Sequence, residues 1–199
     1  TLGAVAPNPD DWRSQSVLAK LNWTIQKNRR LAFTIDHFEH DSQRAFSSRI
    51  SPTYPQGVRQ FANTDRQRFS VDYDHSLDAS WIDHLSLRAY VQDAAQKDRS
   101  LAHYVLTGKA NYRTIETAYL NKLKGLSLDA EKNVDRHALN YGLKFESSSS
   151  QRPWREDRLV IATGEHQITN KNRMADMDGK TIAAYVNDQI GFDLLGQRA

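Results

Sequence analysis

Ser16-Val17-Leu18-Ala19-Lys20-Leu21-Asn22-Trp23-Thr24-Ile25 places Val17, Ala19, Leu21, Trp23 and Ile25 on one side of an extended chain and Ser16, Leu18, Lys20, Asn22 and Thr24 on the other. Successive side chains of a strand point to opposite faces, so the run predicts a strand with one apolar face. After the polar link Gln26-Lys27-Asn28-Arg29 the alternation resumes, with Leu31, Phe33 and Ile35 against Ala32, Thr34 and Asp36, and the two runs read as a hairpin. A strand with one oily and one polar face needs two solvents, and a bilayer outside with a watery lumen inside supplies both. Trp23, near the turn, sits where an interfacial aromatic belongs.

The same pattern recurs five more times. Phe69, Val71 and Tyr73 oppose Arg68, Ser70, Asp72 and Asp74; Leu85, Leu87, Ala89 and Val91 oppose His84, Ser86, Arg88 and Gln92. A fifth strand covers 125–132, with Leu126, Leu128 and Ala130 against Ser127, Asp129 and Glu131, and starts as far back as Tyr112. The sixth covers 137–146, with Leu139, Tyr141, Leu143 and Phe145 on one side. The seventh covers 181–192, with Ile182, Ala184, Val186, Ile190 and Phe192 on one side and Asp188 breaking the stripe. Short polar turns alternate with long polar segments at 43–65, 97–111 and 151–180. Outer-membrane barrels join their strands this way, with short periplasmic turns and long external loops, so the long segments are expected outside.

Together these runs predict an all-β fold, an antiparallel transmembrane β-barrel segment of about seven strands. A soluble barrel or sandwich is the competing architecture; it would turn the apolar face inward and close with about eight strands. A membrane barrel of one bacterial chain has an even strand number, and an open edge in hydrocarbon leaves backbone groups unpaired. Seven strands therefore read as a slice of a wider wall or as eight with one missed, and residues 1–12 read as the tail of a further external loop.

Composition narrows the classes. Hydrophobic residues are 39% and charged residues 26% of the 199, and mean hydropathy is −0.72. Such polarity excludes membrane helices, which need about 18 consecutive apolar residues, but not barrel strands of about 9–11 alternating residues. There is no cysteine, so no disulfide or thiolate metal site. Lysine plus arginine (27) exceed aspartate plus glutamate (24) by three, dispersed too evenly for a nucleic-acid stripe.

Leu18-Ala19-Lys20-Leu21-Asn22-Trp23 with Arg30-Leu31-Ala32-Phe33-Thr34-Ile35-Asp36, and later Tyr141-Gly142-Leu143-Lys144-Phe145, resemble consecutive barrel strands of TonB-dependent outer-membrane receptors. Ala184-Tyr185-Val186-Asn187-Asp188-Gln189-Ile190 is similar to a strand motif of that family, with Asn187 where glutamine is commoner. The order of segments most resembles the haem and haemoglobin (haemophore) receptor branch. The resemblance implies that residues 1–199 are part of one barrel domain of about 22 strands, roughly its middle third, without plug domain or the C-terminal part of the barrel. It also implies an outer membrane of a Gram-negative bacterium and a protein that captures and imports an iron source, haem or haem-protein derived. Its implied partners are the TonB energy-coupling complex through the plug, haem, haemophore or haemoglobin, and outer-membrane lipid and lipopolysaccharide. No intrinsic cofactor is implied; haem enters as transported ligand. The rival function is a small autonomous outer-membrane barrel with a structural or adhesive role.

Candidate ligand-binding residues lie in the expected external segments. His103 beside Tyr104, and His166, offer an imidazole or phenolate to ferric haem. Arg44, Arg49, Arg59 and Arg66, among Phe46, Tyr54 and Phe61, offer guanidinium groups to propionates, an acidic partner or lipopolysaccharide phosphates. His37 and His40, three apart on a strand, point to opposite faces and cannot share an ion. His75, His84 and His137 lie toward the expected periplasmic side. Lys20, Asp36, Arg68, Asp72, Asp74, Arg88, Asp129, Glu131 and Lys144 are expected in the lumen as cross-strand ion pairs. No glycine-framed nucleophile or His-Glu-x-x-His run occurs, so no catalytic residue and no resident metal site is expected.

Overall fold

The computed structural model describes residues 8–77, 79–191, 193, 194, 197 and 198, and among these it contains no α-helix. Nine strands form one antiparallel sheet: β1 (Asp10–Gln26), β2 (Arg29–Phe46), β3 (Val58–Ser76), β4 (His84–Leu106), β5 (Lys109–Val134), β6 (His137–Gln151), β7 (Pro153–Val160), β8 (Glu165–Asn172) and β9 (Met177–Ile190). The path runs β1-β2-β3-β4-β5-β6-β9, and β7 pairs with β5 and β8. β6 covers 120–134 of β5 and β7 covers 111–117, so β6 and β7 are two halves of one stave, interrupted at Arg152-Pro153. β8 and β9 make up the returning stave in the same way. The sheet therefore has seven staves, one for each alternating segment in the sequence, and it is not closed. Two further two-residue strands, β10 (Asp193–Leu194) and β11 (Gln197–Arg198), pair with each other. Phe192, expected at the end of the last stripe, and residues 1–7 of the expected loop tail lie outside the described residues, and Asp10 to Trp12 of that tail belong to β1.

Register lines up the apolar residues across every stave. Leu21, Phe33, Val71, Ala89, Leu126, Phe145 and Ile182 are one unbroken rung; Trp23, Leu31, Tyr73, Leu87, Leu128, Leu143 and Ala184 are the next. The band runs obliquely. It centres on Leu21 in β1 and on Val186 in β9, four residues from Ile182 on the Leu21 rung, which is about 13 Å over six strand spacings of about 4.8 Å. Asp188, the break in the last stripe, meets His137 on β6, Nδ1 to Oδ2 at 2.7 Å, at the lower rim of the band.

This band is exposed. Leu21 is 64% and Ile182 81% accessible, and among the described residues only Ala32, Ile82, Tyr104, Ala130 and Trp154 are buried apolar side chains. The chain exposes 14471 Å², whereas a compact monomer of its mass exposes about 9,600 Å². The sheet has no hydrophobic core of its own to bury the band.

Below the band the staves end almost at once, at Lys27-Asn28, at 77–83 and at Asp135-Arg136. Above it they continue. The expected loop 97–111 is strand up to the two-residue turn Thr107-Gly108, whose φ values of 48° and 75° are those of a tight hairpin turn. The expected loop 43–65 shrinks to 47–57, and 151–180 holds the β7–β8 hairpin. β4 thus rises fifteen residues beyond Val91, about 50 Å of strand.

The lower connection at 77–83 is tied to β5. Lys132 Nζ donates to Asp83 Oδ1 at 2.6 Å and to the Ala79 carbonyl at 2.9 Å, and the Asn133 amide donates to Asp83 Oδ2 at 2.8 Å. The Lys132 ammonium, then the Asn133 amide, hold the Asp83 carboxyl below the usual carboxylate range. A carboxylate with a lowered folded-state value contributes stability above its unfolded pKa of about 3.9, and that contribution is lost as pH falls through the folded value. Asp83→Asn is expected to speed amide exchange at 77 and 79–83 at neutral pH, and the difference from wild type should vanish once the pH falls below the lowered folded-state value of the Asp83 carboxyl; equal rates at pH 7 would show that the tie does not hold the turn.

Candidate functional site

Opposite the apolar band every stave presents polar groups. Lys20, Asp36, Arg68, Asp72, Asp74, Arg88, Asp129, Glu131 and Lys144 share this face by register. Asp72 pairs with Arg88, Asp74 with Arg30 at 2.6 Å, Asp36 with Arg66 at 2.8 Å and Lys144 with Glu146 at 3.0 Å. Arg68 stands opposite Asp36, but its guanidinium lies 5.3 Å from the Tyr90 ring centre. Two tyrosines each cross a glycine to reach an acid two staves away. Tyr90 passes over Gly125 to Glu146, and Tyr185 passes over Gly142 to Asp129 at 2.7 Å. A Cβ on Gly125 would stand 2.7 Å from Tyr90 Cε1, and one on Gly142 2.6 Å from Tyr185 Cε1, so glycine is what lets each ring lie flat on the wall.

Nine residues above Leu126 on β5, about 30 Å along the strand, the polar face encloses a hollow of about 960 Å³. Its girdle is a single rung: Trp12, Ser42, Ala62, Asp98, Thr117, Trp154 and Lys171. One hollow can touch all seven staves only if the sheet curls with its polar face inside. The small residues form the floor and the two tryptophans the walls. Trp12 stacks on His40 at 5.9 Å. Trp154 is 8% exposed, with Lys171 Nζ 5.4 Å and Arg173 5.8 Å from its ring centre, and its buried Nε1 has no hydrogen-bond partner. Below and above, Arg152 lies over Tyr119 at 4.8 Å and Arg113 over Tyr104 at 6.0 Å. The arrangement offers flat aromatic surface and the Lys171, Arg173 and Arg152 cations, with the Asp98 carboxylate the one acid on the girdle rung, and suits a planar anion at its Trp154 side.

The expected ligand residues divide between the two faces. Tyr104 and Arg44 point inward: Tyr104 meets Tyr54 of the 47–57 segment at 6.3 Å, and Arg44 pairs with Asp10. His103 points outward, its ring 5.2 Å from Tyr112, so the neighbours His103 and Tyr104 cannot hold one ligand. His166, on β8 rather than in a loop, also faces outward and pairs with Asp157 at 3.0 Å. Arg59 is outward on β3, and Arg49 lies in the short turn Ser47–Arg49, its guanidinium 5.2 Å from the Phe46 ring centre. His37 and His40 do face opposite ways: His37 lies 3.9 Å from Asp65 outside, and His40 lies under Trp12 inside. Trp12, Trp154, Lys171 and Arg173 were not singled out from sequence; the cluster Arg152-Pro153-Trp154-Arg155 was the available signal, but only register joins it to Trp12. Among the described residues no three of His, Asp or Glu converge as a metal cluster, and no helix is long and apolar enough to cross a membrane.

No family model matches the chain and no curated protein matches its sequence.

Proposed function

We propose that this chain is part of the wall of an outer-membrane TonB-dependent receptor that captures and imports an iron source, haem or haem held by a carrier protein, and that the hollow between Trp12 and Trp154 is where the cargo first rests. The observation that carries the reading is the apolar band that crosses all seven staves on the convex side, opposite a concave side where Asp36, Asp72 and Asp74 pair with Arg66, Arg88 and Arg30. Hydrocarbon outside and water inside satisfy both faces at once. The oblique band fits strands tilted against the bilayer, and the two open edges call for neighbouring staves in a wider cylinder. Staves that stop at the lower rim but rise far above the upper one support an outward-facing position for the hollow in this reading. In this reading a plug closes the lumen, and the TonB complex moves the plug from the periplasm.

Haem is a planar aromatic dianion, and the hollow meets it with an aromatic wall and the Lys171 and Arg173 cations. Absorbance titration of the detergent-purified protein with haem tests this. Lys171→Ala combined with Arg173→Ala is expected to weaken binding at least about tenfold, since a hydrogen bond to a charged group is worth about 1.5–3 kcal/mol. His103→Ala and His166→Ala are expected to leave it unchanged, because both rings face outward. Full affinity in the double variant, or loss in either histidine variant, would move the cargo elsewhere.

A further inference from the structure

We infer that the convex face carries a binding site for a phosphorylated lipid of the outer leaflet: an acyl chain lies in a groove over Ala89, and its phosphate is held by Lys124, Ser147 and Lys180. The inference rests on the membrane-spanning reading above and assigns a function to a different surface. Ala89 is the one small side chain between Val71 and Leu126 on its rung, and it forms the floor of an outward groove of about 340 Å³. Phe69, Val91, Leu126 and Phe145 flank the groove, and Lys124 stands on its upper rim. Lys124, Ser147 and Lys180 are consecutive on the next rung up, on the same face. Their Cα atoms therefore span about 10 Å, two strand spacings. Two ammonium groups with a hydroxyl between them form a cradle for a phosphate.

Neither lysine has a carboxylate partner among the described residues. The acids that face them are one rung higher: Asp93 lies 4.0 Å from Lys122 with both side chains open to water, and Asp178 follows beyond Ser149. The order from the membrane outward is thus apolar groove, cation rung, mixed-charge rung, the order of an acyl chain, its phosphate and the solvent. Arg59, an expected lipid-phosphate contact, stands ten residues above Phe69, about 34 Å up the strand and far from this level. A free phosphate would use the lysines alone; the groove selects the lipid.

The test reconstitutes the protein into phosphatidylcholine vesicles with bisphosphorylated lipid A, extracts it in mild detergent and counts retained lipid A by native mass spectrometry. Wild type is expected to keep the lipid. Lys124→Gln and Lys180→Gln are each expected to weaken retention about fivefold, the effect of removing one lysine near an anionic lipid. Ala89→Leu, still apolar and compatible with the bilayer, is expected to weaken it with both lysines intact. Dephosphorylated lipid A should be lost on extraction, and inorganic phosphate should not displace the bisphosphorylated form. Equal retention in all variants, or complete displacement by inorganic phosphate, would overturn the inference. Protease protection of the band in the same vesicles separates the two readings: an inserted protein that keeps no lipid A defeats only the lipid site, whereas a wild type that does not insert defeats the membrane reading itself.

Discussion

On the bilayer reading, Leu21→Arg is expected to abolish accumulation of the protein in the membrane, while Asn22→Arg, one residue further along β1, is expected to leave it nearly intact. Leu21 lies on the central apolar rung, 64% exposed on the convex face; Asn22 lies on the polar face beside Ala32, with Asp72 beyond it. Arginine on the lipid side at mid-bilayer costs about 2–4 kcal/mol, and lumen substitutions cost little. A soluble sheet would respond with the opposite sign, because arginine in place of a leucine this exposed only improves its solvation. The measurement is the heat-sensitive gel shift of folded protein in outer-membrane fractions. Equal yields for the two variants, or a higher soluble yield for Leu21→Arg, would remove the bilayer from the account.

The lower part of the fold was legible because one of its faces is apolar and the other polar. Where one side is apolar, period-two alternation survives in the sequence, and the stripes from Val17–Ile25 through Ile182–Val186 fall on strands; their register comes from the structure alone. Above the band both faces are polar. Residues such as Gln92, Asp93, Gln96, Lys97 and Asp98 carry no alternation, so 97–111 and 43–65 read as loops although backbone pairing continues through them. The charges of the polar face were legible for the same reason as the stripes, but not their exact partners: Asp36 takes Arg66, one rung above the Arg68 that stands opposite it. The hollow was illegible for another reason. Trp12 and Trp154 are 142 residues apart in the chain and share a rung only through five intervening pairings. The same miscounted loops put His103 and Tyr104 together as one candidate, when a strand sends neighbours to opposite faces.

The second large effect concerns the tyrosine–glycine joints. Gly125→Val is expected to destabilise the wall by about 1–3 kcal/mol, the range for burying a polar group without its partner or forcing a packed side chain aside. The valine branches would occupy the space of the Tyr90 ring, which would leave the wall and release Glu146. Tyr90→Phe keeps the ring over Gly125 and removes only the hydroxyl, so about 1 kcal/mol is expected. The two sites are coupled by contact: once Tyr90 is alanine, the same valine meets open space, and Gly125→Val should then cost little. A double-mutant cycle read by urea unfolding in vesicles measures that coupling. Additive effects would mean that the ring does not rest on the glycine. A lone loss at Gly125 with no response to Tyr90 would place the strain in the backbone of β5 instead. The mirrored pair Tyr185 and Gly142, which reaches Asp129 from the other side of β6, should repeat the result. Together the two joints tie β4, β5, β6 and β9 across the polar face, where the described residues form no hydrophobic core to hold them.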